Sequence, residues 1–145
     1  MDENGPVRIL KVGSATITAK ASETQDYIEK DVSYTLTVEP KTLTRDDLTY
    51  TGSITKVYDG SDSAPSDLAV FVKPASLVGS DTLAVTGTLQ FNSANVNEAD
   101  TITFTPDAIT AGNYRLAATE VLTITGADIT QATPVYTCLL YTSDA

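Results

Sequence analysis

The chain has 145 residues, 9 Lys+Arg against 19 Asp+Glu, a formal net charge of -10, no His, no Trp and one Cys. Without His there is no imidazole base, triad or His metal ligand, and one Cys excludes an internal disulfide and a Cys-rich zinc site. The negative balance opposes nucleic acid and anionic membrane surfaces, whereas 41% apolar and 19% charged residues describe a globular chain.

About one residue in six is Thr, a β-branched type suited to a half-buried pleated surface. The opening Met1-Asp2-Glu3-Asn4-Gly5-Pro6 is acidic and polar, unlike a signal peptide, and no apolar run is long enough to span a membrane. Thr alternates with apolar residues in Ala15-Thr16-Ile17-Thr18-Ala19 and again in Tyr34-Thr35-Leu36-Thr37-Val38. Pro40 then breaks the pattern after Val38-Glu39, because Pro cannot donate to a ladder. The alternation resumes at Leu83–Leu89, Thr101–Thr105 and Val121–Thr125. A period of two places Ile17, Leu36, Val85, Leu89, Ile102, Phe104, Leu122 and Ile124 on one face and Thr on the other. Turn-rich stretches separate these runs: Asp59–Asp67, Gly79-Ser80-Asp81, Asn92–Asp100 and Ala111-Gly112-Asn113. No stretch carries a convincing helical stripe. The expected fold is all-β, an immunoglobulin-like antiparallel β-sandwich of about seven short strands. Its expected core is Leu48, Val57, Tyr58, Leu68, Val70, Val72, Val85, Leu89, Phe91, Ile102, Phe104, Tyr114, Leu116, Leu122 and Ile124.

A repeat is visible inside the chain. Thr16-Ile17-Thr18, Asp26-Tyr27 and Tyr34–Val38 recur in order as Thr101-Ile102-Thr103, Asn113-Tyr114 and Val121–Ile124. That period is too long for a solenoid unit and fits one sandwich domain. Residues 1–39 therefore read as the C-terminal part of one domain, with few partner strands and loose packing. Residues 40–130 read as a complete second domain. Residues 131–145 read as a linker or the start of another repeat, with Ile129–Pro134 as the junction.

Five ordered segments carry a family resemblance: Lys56-Val57-Tyr58-Asp59-Gly60, Val78-Gly79-Ser80-Asp81, Gly87–Phe91, Ala111–Leu116 and Ala127-Asp128-Ile129-Thr130. Over residues 40–130 the chain resembles the YDG domain family of bacterial surface and secreted repeat proteins. Val12–Ala19 and Ser33–Val38 resemble the end of a group-two bacterial immunoglobulin-like domain. The resemblance implies tandem repeats, export and an extracellular or cell-surface setting, with neighbouring repeats of the same chain as partners. Cys138-Leu139-Leu140-Tyr141-Thr142-Ser143-Asp144-Ala145 resembles a translated sequencing adapter. That resemblance implies that these eight residues and the single Cys are foreign to the natural protein and that its gene continues further.

The candidate site residues are Lys56, Tyr58, Asp59, Gly60, Gly112, Asn113 and Tyr114. Tyr58-Asp59-Gly60 reads first as a turn, in which Gly60 takes positive φ, Asp59 caps the backbone and Tyr58 packs at a sheet edge. The sharper reading is a ligand-contacting tip. Gly112-Asn113-Tyr114 fits a tyrosine corner, with Tyr27 as its counterpart. Asp59, Asp62 and Asp67, or Asn95, Asn97, Glu98 and Asp100, are oxygen-bearing clusters without the loop spacing of an EF-hand, so turn chemistry is read ahead of calcium and no metal is assigned. Lys56 with Asn113 would suit an isopeptide bond only beside a buried carboxylate, which the sequence does not place. No base is available to activate a Ser, and Asp46-Asp47 would point to opposite sides if extended. No catalytic residue and no cofactor are assigned. The expected function is a non-catalytic spacer repeat of an adhesin-like protein. The alternatives are a module whose loops bind a glycan or a host protein, and an accessory domain of a secreted enzyme.

Overall fold

The computed structural model describes residues 7–65 and 70–136. Among these residues the regular structure is all-β. The strands in chain order are β1 (Gly13–Ala21), β2 (Lys30–Val38), β3 (Lys41–Leu43), β4 (Leu48–Tyr50), β5 (Thr55–Val57), β6 (Val70–Val72), β7 (Gly87–Phe91), β8 (Thr101–Pro106), β9 (Tyr114–Leu116), β10 (Leu122–Thr125) and β11 (Asp128–Thr130). The helical content is two single 3-10 turns, Arg45–Asp47 and Pro74–Ser76. The expected Leu68 and Asp67 and the adapter-like 138–145 lie outside the described residues.

Two compact units are formed. One takes residues 7–44 and 108–117, the other 45–107 and 118–136. In the first unit β1 and β2 make a long antiparallel ribbon. Register sets Ala15 opposite Leu36, Ile17 opposite Tyr34 and Ala19 opposite Val32, while Ser14, Thr16 and Thr18 face Thr37, Thr35 and Ser33. Because side chains alternate across a strand, one side of the ribbon is apolar and the other is a hydroxyl ladder. The Ser14 and Thr37 hydroxyls meet at 3.2 Å. No residue of either strand is fully buried. The same unit holds the parallel pair β3–β9, which sets Leu43 beside Leu116, both fully buried.

The second unit carries a three-stranded antiparallel sheet in the order β10-β8-β7. Leu122 and Leu89 flank Phe104, and Ile124 and Phe91 flank Ile102. Thr101, Thr103, Thr105, Thr123 and Thr125 occupy the alternate positions. Ile102 and Phe104 are fully buried, so the period-two reading of these strands holds. β4 pairs antiparallel with β6, setting Leu48 against Val72, both buried. Segment 83–85 continues this sheet: Val72 N donates to Leu83 O, and Val85 N to Val70 O. One contiguous cluster joins Ala64, Phe91, Ala99, Ile102, Ala127 and Ile129, with Ile54, Leu89, Val96 and Ile124 packed around it. Fully burying an Ile or Phe side chain contributes about 1.5–3 kcal/mol, so Ile102, Ile129 and Phe91 each stabilise the unit by an amount of that order.

Several expectations are corrected. Val57 and Tyr58 are not core residues: they are 58% and 44% exposed. β5 has the opposite parity to the one expected, with Lys56 turned inward, because the ammonium finds a full set of acceptors described below. Leu89, Leu122 and Ile124 are half-buried rather than sealed. Pairing is not wholly antiparallel, since β3–β9 and β5–β11 are parallel. Ile129, read as part of a junction, is fully buried in β11. Tyr27 is 77% exposed at the tip of the ribbon, where Thr24 N donates to its carbonyl and its own N–H to Thr24 Oγ1. It is not the buried counterpart of Tyr114, because a local turn satisfies its backbone and nothing covers its ring.

Candidate functional site

Parallel pairing places Lys56 beside Ile129, and Ile129 is completely buried. The Lys56 side chain follows it inward and is 9% exposed. Burying a charge is unfavourable unless it is paired and hydrogen-bonded. Here Nζ donates to Asp59 Oδ1 at 2.8 Å, Ser61 O at 2.7 Å and Ser63 O at 2.9 Å, with Ser61 Oγ at 3.1 Å. It also lies 5.5 Å from the centroid of the Phe91 ring, a cation–π distance. The three ammonium protons are thus consumed by one loop.

Asp59 closes the loop from its other side. Its Oδ1 accepts from Ser61 N and Ser61 Oγ, both at 2.9 Å, the Asx-turn geometry that Asp favours. The Lys56 hydrogen bond, then the backbone and side-chain bonds of Ser61, lower the Asp59 pKa from its ordinary value to about 2. Gly60 sits at φ 81°, a conformation that side chains other than Gly rarely adopt. The loop is then fastened to β7: Phe91 N donates to Asp62 O at 2.7 Å, Ala64 N to Leu89 O at 3.2 Å, and Gln90 Nε2 to Asp62 Oδ2 at 2.6 Å. Tyr58 N donates to Thr130 O at 2.8 Å, which extends the β5–β11 ladder and leaves the Tyr58 ring at the surface.

A second cluster closes the β7–β8 connection. Asn92 Oδ1 accepts from Asp100 N at 3.0 Å and Thr101 N at 3.2 Å. Its Nδ2 donates to Asp100 Oδ1 at 2.9 Å and Glu98 O at 3.2 Å. Glu98 Oε2 accepts from Asn95 Nδ2 at 2.8 Å and Ser93 Oγ at 2.9 Å, and these bonds, Asn95 first, lower its pKa. Asn97 takes positive φ, 65°, which Asn tolerates. Of the carboxylates named as candidate calcium ligands, Asp59, Asp62, Glu98 and Asp100 therefore spend oxygens on loop closure. Among the described residues no group of three or more acidic or Cys side chains is gathered closely enough to hold a metal.

Gly112, Asn113 and Tyr114 lie in the other unit. Gly112 has φ 89°, Asn113 O accepts from Lys41 N at 2.9 Å, and Asn113 Oδ1 accepts from Val12 N at 3.3 Å. Tyr114 is buried in β9. The seven candidates thus form two separate turns, one per unit. Lys56 and Asn113 each have partners within their own unit, and neither set is that of an isopeptide bond. Asp46 and Asp47 fall in the first 3-10 turn, where Asp46 O accepts from Lys73 Nζ and Asp47 Oδ1 from Ser76 Oγ, both at 2.6 Å. Sequence reasoning missed Asn92, Ser61 and the Phe91 ring as parts of these sites. The available signals were a Lys three residues before an Asp-Gly-Ser turn and an Asn at the end of an apolar strand.

A family model, the YDG domain, matches residues 39–123, which is more than half of the chain. The chain belongs to the YDG domain family. The matched region runs from before β3 to β10 and stops short of β11, although β11 pairs with β5. Neither the curated proteins nor the solved structures gave a match.

Proposed function

We propose that this chain is a non-catalytic spacer repeat of a bacterial cell-surface or secreted, adhesin-like protein. In this reading residues 1–39 end one immunoglobulin-like domain, 40–130 form a second, and 131 onward leads toward another unit. Its partners are neighbouring repeats of the same polypeptide. The observation that carries the reading is the fate of the family's own motif. The Lys56 ammonium and one Asp59 oxygen are spent on their own loop rather than presented outward. A group whose hydrogen-bonding capacity is consumed in holding a turn is a fold element, not a ligand contact. Among the described residues no helix is long and apolar enough to cross a membrane.

The rival reading, a glycan- or host-protein-binding module, would work through the 59–67 and 92–100 loops. Applying the full chain to glycan and extracellular-matrix arrays separates the two. The spacer reading expects no saturable binding. Saturable binding abolished by substitutions in either loop would overturn it.

A further inference from the structure

The first unit joins two stretches that the sequence divides at Pro40. Its ribbon, β1–β2, precedes the region matched by the family model, whereas β3 and residues 108–117 belong to that region. One covalent connection links them, since β2 ends at Val38 and β3 begins at Lys41. That connection is short and stiff: Glu39 and Pro40 alone separate the strands, and Pro fixes its own φ and confines the residue before it to extended conformations. A single connection still permits the ribbon to rock about it.

The Gly112-Asn113 turn supplies a second. Asn113 O accepts from Lys41 N at 2.9 Å, at the entry to the β3–β9 pair. Asn113 Oδ1 accepts from Val12 N at 3.3 Å. Val12 precedes Gly13, which lies opposite Val38 in the ribbon register. One residue therefore holds both strands of the ribbon at its base: its carbonyl takes the chain leaving β2, and its side chain takes the chain entering β1. Paired strands lie roughly 4.8 Å apart, so the two contacts are separated across the ribbon and oppose a rocking that either alone would allow. Val12, Val38 and Pro40 are half-buried at this base, while Val32 and Tyr34 further along are 60% and 58% exposed.

We propose that the Gly112-Asn113 turn is the joint that fixes the preceding repeat to this domain, through a side-chain acceptor aimed at that repeat's backbone. This rests on the spacer reading above and adds to it that the spacer is stiff at the junction. The contact is to a main-chain N–H, which every residue except Pro carries. It is therefore blind to the side chain at position 12, so the same turn can seat preceding repeats of differing sequence. Gly112, at φ 89°, gives the turn the backbone conformation that brings Asn113 to this place.

The test uses the full chain and two variants, Asn113→Ala and Asn113→Asp. Ala removes the acceptor of the Val12 amide and leaves the backbone bond to Lys41, whereas Asp keeps a side-chain oxygen in place. Hydrogen exchange of the Val12 amide should quicken by roughly three- to tenfold in Asn113→Ala and should not quicken in Asn113→Asp. Backbone amide NMR relaxation reads the joint itself. In the wild type and in Asn113→Asp, the amides of β1 and β2 should tumble together with those of β3 and β9. In Asn113→Ala the β1 and β2 amides should gain nanosecond motion while β3 and β9 stay unchanged. A ribbon that already moves independently of β3 and β9 in the wild type would overturn the proposal. So would wild-type exchange and relaxation in Asn113→Ala. Either failure leaves a spacer with a loose junction, whereas a hit on the glycan array would remove the spacer reading and leave the joint standing.

Discussion

Lys56 Nζ and Asp59 Oδ1 stand 2.8 Å apart, and the same Asp59 oxygen also accepts from the backbone and hydroxyl of Ser61. One carboxylate oxygen thereby joins the inward end of β5 to the turn that follows it. The pairing explains why a strand this short can turn a charged residue toward the core.

Acid should loosen this turn in a defined window. The folded pKa of Asp59, about 2, lies below its ordinary value of 3.8. A depressed folded pKa contributes stability that is full above the ordinary value and is lost as pH falls through the folded one. The Asp59 contribution is therefore present at neutral pH and fades between about pH 4 and 2. Carboxyl NMR titration should place Asp59 near 2 in the wild type and higher in Lys56→Met, where the Ser61 bonds still hold it below its ordinary value. An unshifted Asp59 in the wild type would remove the pairing from the account.

Asn92 should matter more than its position at a strand end suggests. Asn92→Ala removes four side-chain hydrogen bonds across residues 98–101. Because the site is partly exposed, water replaces some of them, and a loss of about 1–2 kcal/mol is expected. Urea denaturation should show a lower midpoint at unchanged slope. A midpoint equal to that of the wild type would mean that the β7–β8 connection closes without this side chain.

Two glycines should respond for different reasons. A Cβ at Gly60 meets nothing within 4 Å, so Gly60→Ala is penalised only by its positive φ, by about 1–2 kcal/mol. A Cβ at Gly87 would run into the Thr105 carbonyl and the Phe104 ring. Gly87→Ala must push β7 away from β8 and should cost about 1–3 kcal/mol. Chemical shifts separate the cases: Gly60→Ala should perturb residues 58–63 alone, and Gly87→Ala the Phe104 ring. Silence of that ring in Gly87→Ala would contradict the packing.

The fold was legible where strands were long enough to show a period. Thr101–Thr105 and Val121–Thr125 alternate over several residues, and Ile102 and Phe104 are buried as that alternation requires. Three-residue strands gave no such signal. Val57 looked like core because apolar residues usually face inward, yet its neighbour Lys56 holds that position with a complete acceptor set. β11 was obscure for another reason. Its partner β5 lies about seventy residues earlier, with the Thr130 hydroxyl donating to Lys56 O, and no local pattern announces a parallel pair so distant in sequence. In the site, Asp-Gly announced the turn through Gly60's positive φ. The direction of the Lys56 side chain was hidden, because it depends on β11 and Phe91.

The central claim is that the Lys-x-Tyr-Asp-Gly motif works as a fold element, and thermal unfolding of Lys56→Met tests it most directly. Removing a mostly buried ammonium leaves Asp59 and two carbonyls without their donor and should cost about 2–3 kcal/mol. For a domain of this size that lowers Tm by roughly 8–20 °C. A Tm within a degree of the wild type would contradict the account and turn the motif outward, toward a ligand.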